Sequence, residues 1–580
     1  MKKINKIQVA LLIAMSIFKI NAQVVTLTKG GESSSKQAIG SEAVNFIANG
    51  DHYFFEVYME RAMMNYRLQS FDSKGGFLTN TLLDVNVGVF NNSYSIDQVI
   101  GFGNTVYAMV EHLDKPAGKN TLLARAIDNV GNVSATEVEV MSIPFEKTMN
   151  SGFNYTSVSP DNKTMAVVGE MIYVKDQPAQ YKIALFNQGI KKNKEGMITI
   201  AGENTKNKSI SQIVANDGTV YIIKKGMTKK GEITLTVYQW SPESPSDYKE
   251  YILEVVEPNQ FYNYTYAVNT NNELIISGLY YERKTFSVGE KKAVGVFYFT
   301  NKGKSEKVFK TFALDAQVDN LTARKLLING NTLFLTAEQY KVERLDPPPS
   351  AAGSMSTFEY HYNYIHKSEF VIAMDNEGTK KFQLELNKDF TARDFDKPFF
   401  SSYNIVNGKL TLVYNDQAKK YVKDDYNFSY QIPVLVQITN DGLMQSPVIF
   451  KNELKLEQYY ILNPSYSLQT ANNHISFLMG NNQTVKFIDF KFNSHKDHNP
   501  SCDILQGHLD SDTFITYGIY IKDDGARKTG DEFMEYYTGE NYNVGSSKKS
   551  NSRVYGPDKI PAKYKAAWEE LKSKYESEYK

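Results

Sequence analysis

Three of the eight histidines and the sole cysteine fall close together near the C-terminal end: His495, His498, Cys502 and His508. Imidazole nitrogens and a thiolate are common zinc donors, and four of them complete a closed tetrahedral site. Their spacing matches no standard zinc finger. Two readings stay open, a structural zinc that ties down the C-terminal extension and a polar loop rich in His, Asp and Asn; no other cofactor is expected. Glu56, Glu60 and Glu111 are carboxylates of the kind that perform acid/base work on glycosidic bonds when paired across a site. Carboxylates in strands are more often simply solvated, and the chain has no GxSxG elbow, HExxH, P-loop or GxGxxG. No catalytic residue is assigned, and the reading leans away from an enzyme.

Aromatic residues form the other set of candidates. They make up 13% of the chain, and such side chains give large contact area at low entropic cost in protein interfaces and sugar platforms alike. Tyr280, Tyr281 and Phe286 form one group. After Pro347-Pro348-Pro349, a second group of Phe358, Tyr360, Tyr362 and Tyr364 alternates strictly with other residues, which predicts a protruding hairpin arm with its aromatics on one face. Tyr421, Tyr426, Phe428 and Tyr430 form a third group, among Lys419, Lys420, Lys423, Asp424 and Asp425. Such a face either covers a neighbouring element or meets a ligand, and both alternatives remain at this point.

What must position these residues is a repeat. A polar turn recurs at Asn49-Gly50, Gly103-Asn104, Asp161-Asn162, Asp217-Gly218, Asn271-Asn272, Asn329-Gly330, Asn407-Gly408 and Asn472-Asn473. An apolar strand core follows each one, so each turn joins two strands. Most copies have a second turn that ends in glycine, as in Asp72-Ser73-Lys74-Gly75 and Asp375-Asn376-Glu377-Gly378. The unit is a four-stranded meander with a period of roughly 55 residues, and stacking such units around an axis buries both faces of each. The fold class is therefore all-β: a β-propeller of about eight blades, with seven as the alternative, over residues 23–495. The eighth repeat has no clear fourth strand, and Val24–Thr28 at the other end of the chain is expected to complete it. Repeats six and seven are lengthened between their second and third strands. Those inserts carry the second and third aromatic groups, on the face shared with the blade-to-blade connections.

The segment Val158-Ser159-Pro160-Asp161-Asn162-Lys163, followed by Met165-Ala166-Val167, resembles the Ser-Pro-Asp-Gly-Lys turn of TolB-like propeller repeats. The likeness covers one blade. It implies the fold and no specific activity.

Residues 1–22 combine a basic start (Lys2, Lys3, Lys6), an apolar run from Ile7 to Phe18 and a short exit to Ala22. That order reads as a cleavable secretory signal, and the apolar run is too short for a transmembrane span. Gln23 stands where a lipoprotein would carry cysteine, so the expectation is an exported chain, periplasmic or associated with the outer membrane and not lipidated. One cysteine allows no internal disulfide, and 65 basic against 65 acidic residues offer no global field for nucleic acid. Residues 496–555 read as an irregular extension with one strand, Thr513–Lys522. In 556–580, Tyr564, Trp568, Leu571, Tyr575 and Tyr579 recur at helical spacing after Pro561, which predicts an amphipathic helix with Trp568 in its aromatic stripe. The expected role is an interaction scaffold or subunit with a protein partner in the cell envelope. The alternative is a propeller that binds or cleaves carbohydrate.

Overall fold

The computed structural model describes residues 25–555 with interruptions, together with Lys565, Glu569 and Ser573. Residues 1–24, which include the expected signal, lie outside the described residues, as do 283–291, 346–360, 394–399, 421–430 and 493–501 among others. For 502–555 only the backbone is described. Among the described residues no helix is long and apolar enough to cross a membrane.

Eight antiparallel sheets, each built on four strands, form a β-propeller of eight blades; seven take their strands in sequential order and the eighth takes three. The polar turns fall where the repeat places them. In blade six, Asn329-Gly330 joins Leu321–Asn329 to Thr332–Leu345, and Asp375–Gly378 joins His361–Asp375 to Lys380–Leu386. Each blade has apolar residues on both faces, because each face meets a neighbour. The buried residues sort into eight hydrophobic clusters, and every cluster draws on two consecutive blades. The last of them joins Leu478 and Phe487 of blade eight to Phe46, Phe54 and Phe71 of blade one. That contact closes the ring.

Closure is also made in the backbone. Val25–Glu32 pairs antiparallel with Val485–Phe492 and becomes the fourth strand of blade eight, in the register Val25↔Phe492 and Leu27↔Phe490. The expectation for the N-terminal strand holds.

The recurrence of asparagine in the first turns has a structural cause. Asn162, Asn272 and Asn407 adopt positive φ, which asparagine tolerates better than most residues. Turn side chains also bond the next blade: Asn162 Nδ2 donates to Gly103 O at 3.0 Å, Asp161 N to Asn216 Oδ1 at 3.0 Å and Asn216 N to Asn272 Oδ1 at 3.1 Å. Blades two to five are thus laced together at the end of the ring that carries these turns.

Beyond the ring, Thr513–Lys522 is a strand as expected. It lies in a four-stranded antiparallel sheet with Cys502–Asp510, Thr529–Thr538 and Ser552–Tyr555, where the sequence pattern had indicated a single strand. Thr529–Thr538 mixes Gly, Asp and Glu with Phe, Met and Tyr without a period of two, so it passes for loop when no partner strand is in view. Lys565, Glu569 and Ser573 are helical and exposed, at the spacing of one polar helix face.

Candidate functional site

The insert of blade six forms an arm. The second strand, Thr332–Leu345, and the third, His361–Asp375, continue past the body of the blade as an antiparallel pair. Phe390–Arg393, from the linker to blade seven, adds a third strand against His361–Asp375. The arm leaves the blade through a β-bulge: Glu338 pairs with Glu369, but Tyr340 pairs with His366, which gives the third strand one extra residue. A bulge bends a strand and re-aims what lies beyond it.

Residues directly opposite each other share a face, so the register divides the arm into two. One face carries Tyr340, His366 and Phe390, then Val342 opposite Tyr364, then Arg344 opposite Tyr362. The other carries Lys341, Ile365 and Thr391, then Glu343 and Asn363, with Lys341 and Glu343 ion-paired at 3.1 Å. The aromatic face runs from buried to exposed. His366 and Phe390 are buried at its base, Tyr340 and Tyr364 are half-buried, and Val342 and Tyr362 reach 45% and 37% exposure. Phe400 closes the base, with its ring 5.0 Å from Tyr340 and 5.4 Å from His366, and the Arg324 guanidinium lies 3.1 Å over its centre. The alternating tyrosines therefore do both things the sequence left open: the inner end packs and the outer end is presented.

Beneath the arm, Glu338, His366, Glu369, Lys388, Ser401 and Tyr403 form a closed polar network, none more than 5% exposed. The Lys388 ammonium reaches Glu338 Oε1 at 2.5 Å, Ser401 Oγ at 3.0 Å and Glu369 Oε1, which uses all three of its donors. Ser401 and Tyr403 also donate to Glu369, the latter at 2.6 Å. His366 Nδ1 meets Glu338 Oε1 at 2.5 Å, and its Nε2 has no partner.

Burial alone would raise the Glu338 carboxyl, but Lys388 and His366 outweigh it and hold the group below the usual carboxylate range. Burial and the neighbouring Glu338 charge push Glu369 up. Burial pushes His366 down, so its ring is neutral and donates from Nδ1. Burial also opposes the charge on Lys388, yet the two carboxylates raise it. The linker fastens the network to blade seven: Asp389 N donates to Asp416 Oδ1 at 2.9 Å, and Gln417 Nε2 to Asp389 Oδ2 at 2.9 Å.

Sequence reasoning missed this network, although a signal for it exists. Glu170, Glu338 and Asp416 occupy the same repeat position, nine residues after the first residue of the turn. All three are buried and paired with a lysine: Lys208, Lys388 and Lys420. In blade five that position is Tyr280. Expected as a binding residue, Tyr280 is 8% exposed, donates to Phe312 O at 3.3 Å and packs so closely on Gly295 that a Cβ there would lie 2.2 Å from its ring. It belongs to the core. Tyr281 is half-buried, edge-on to Tyr262 and bonded to Gln260. Phe286, Phe358, Tyr360, Tyr421, Tyr426, Phe428, Tyr430 and Trp568 lie outside the described residues.

His495 and His498 also lie outside them. Cys502 and His508 sit on one strand, Cys502–Asp510. Extended backbone advances about 3.3 Å per residue, which sets the two roughly 20 Å apart. A zinc site drawing on both would require that strand to be other than extended.

Glu111 accepts from Asn120 Nδ2 at 2.6 Å and lies near Asp97, the bulged residue of the first strand in blade two. Asp97 is accessible yet hemmed in by protein. Burial, then the Glu111 charge, raises it to about 6. The side chains of Glu56 and Glu60 lie outside the described residues.

No protein family and no curated protein matches the chain. Among solved structures it is similar to the WD40 domain of SCAP from fission yeast, at 10% identity over 81% of this chain and 95% of that one, with a TM-score of 0.36. It is similar also to the polysaccharide lyase Uly1, at 10% identity over 68% and 90% with a TM-score of 0.32, and to a mutant of the Synechocystis apocarotenoid oxygenase, at 9% over 75% and 95% with a TM-score of 0.34.

Proposed function

We propose that this chain is an exported, non-enzymatic propeller that serves as an interaction scaffold or subunit of an assembly in the cell envelope. Its contact elements are the arms of blades five to seven and the C-terminal helix. The observation that supports this reading is the blade-six arm, whose aromatic face, among the described residues, reaches solvent at Val342 and Tyr362 above a base packed by Tyr340, His366, Phe390 and Phe400. An aromatic anchor on a rigid support is the usual centre of a protein interface. The ionisable groups beneath the arm are closed to solvent and bonded to one another, so they support the arm and are not offered to a substrate.

The double variant Val342→Ser, Tyr362→Ser tests this. Both side chains reach solvent outside the ring's core, so the variant should still unfold cooperatively, at a cost of roughly 1–3 kcal/mol for the part of each that is covered. Recovery of a co-purifying envelope protein should fall at least tenfold. Unchanged recovery by the folded variant would remove the arm from the interface.

A carbohydrate-cleaving propeller is the second reading, favoured by Asp97, whose carboxyl stays protonated up to about pH 6 beside Glu111. One carboxyl held protonated next to an ionised one is the arrangement that acid/base cleavage uses. Release of reducing ends from envelope polysaccharide, abolished by Asp97→Asn, would establish it. No release by the wild-type protein would leave the scaffold alone.

A further inference from the structure

The network at the arm's base occupies an unusual place. It straddles the bulge at which the arm leaves the blade: Glu338 and Glu369 are the last pair on the blade side, and Tyr340 and His366 are the first on the arm side. Lys388 and Ser401 come from the linker to blade seven, and Tyr403 from the first strand of that blade. One set of hydrogen bonds thus joins the blade, the arm and the next blade. His366 is the only member that belongs to the arm.

Its surroundings suit a neutral ring and not a charged one. Facing it are Glu338 and Tyr340 from the second strand, Lys388 from the linker and Arg324 from the first strand, while Glu369 and Tyr403 are linked to it through Lys388. Lys388 already takes the Glu338 oxygen that His366 uses. The free nitrogen, Nε2, is buried without a partner, in a ring set among Tyr340, Phe390 and Phe400. A proton there would create a second donor with no acceptor, beside two cations. An unmade hydrogen bond of a buried charged group is among the costlier defects a fold can carry. Water offers the protonated ring what this pocket does not.

We propose that the network is an acid-released clamp: with His366 neutral it fixes the arm against blade seven, and protonation of His366 frees the arm at the bulge while the ring stays closed. Its consequence for binding rests on the scaffold reading, as a contact element that is rigid at neutral pH and loosened in acid; the clamp itself does not depend on any partner. The direction follows from linkage. A histidine whose folded pKa lies below its unfolded value contributes stability that falls as pH drops through the unfolded value, near 6.5.

The test is hydrogen exchange of the isolated full chain from pH 7.5 down to about 4, corrected for intrinsic rates. Amides of 340–345 and 361–366 should exchange at least tenfold faster at the lower pH, with a midpoint below the ordinary histidine value and above the carboxylate range. Amides in the strands of blades three to five should not change. His366→Gln, which keeps a donor for Glu338 and cannot gain a proton, should give a flat profile. Exchange independent of pH, a midpoint at or below about 4.5 where carboxylates titrate, or a His366→Gln profile that tracks the wild type would each overturn the clamp. The midpoint is read on wild-type protein alone and decides the matter even where His366→Gln does not fold. None of these outcomes bears on whether the tip of the arm binds a protein.

Discussion

Lys388→Met is expected to destabilise the protein by about 3–5 kcal/mol at pH 7, the range found when one partner of a buried ion pair is removed. Methionine fills most of the same volume, so the loss is not one of packing. It arises because Glu338 and Glu369 face each other across a closed space, and Lys388 is the cation that makes both tolerable. Without it, the charge at that site must be neutralised by protons. The pH dependence carries the signature: in the variant both carboxyls have folded values above their unfolded ones, so the penalty is largest at neutral pH and shrinks as pH falls towards 4.5. The wild type behaves in the opposite way over part of that range, because Glu338 is held low and His366 is buried neutral. Denaturation midpoints of the two proteins should therefore converge on acidification. Adding Glu338→Gln and Glu369→Gln to Lys388→Met should recover much of the loss, since no buried charge is then left unpaired. A single variant within 1 kcal/mol of wild type at pH 7 would mean that the network is open to water.

Deleting residues 23–32 should cost on the order of 5 kcal/mol. Val25 to Lys29 pair residue by residue with Phe492 to Ile488, and each backbone hydrogen bond contributes roughly 1 kcal/mol net. The deletion also uncovers a strand edge rich in Phe and Ile, which is a template for aggregation. Chemical denaturation and the fraction remaining monomeric measure the two effects. A synthetic peptide of residues 23–32 should restore the midpoint in trans. If the truncated chain matches the full one, the ring is held by side-chain contacts such as the Phe54–Phe487 pair, whose centroids are 4.8 Å apart, and the N-terminal strand is dispensable.

The two predictions differ in how far the sequence anticipated them. Closure was legible because the eighth repeat has three strand patterns, the other end of the chain has an unassigned one, and a ring needs its last blade complete to bury the faces of both neighbours. The Lys388 network was not, because its members come from three strands and a linker. A lysine between strands reads as solvated, and a carboxylate in a strand reads as surface. The signal was present in register: Glu170, Glu338 and Asp416 share one repeat position, and each meets a lysine from the chain that follows it. Tyr280 shows the reverse case. Its neighbour Tyr281 is similar in sequence, yet successive residues in a strand point to opposite faces, and the face that carries Tyr280 is closed by Gly295.

The chain's own pattern of turns and apolar strands determined the meander, its eight repetitions and the strand that closes the ring. These follow from local rules: positive φ in turns and alternation in strands. It also determined which two blades carry inserts, and that the arm of blade six has an aromatic face. What only the tertiary structure decided is which part of that face reaches solvent. Tyr362 and Val342 are exposed while Tyr340 and His366 are covered, because the linker strand Phe390–Arg393 and Phe400 fold back over the base of the arm. It decided, too, that the two carboxyls beneath the arm share one lysine. A contact between residues fifty positions apart, such as Glu338 with Lys388, depends on how blades stack around an axis, and no local rule reports that.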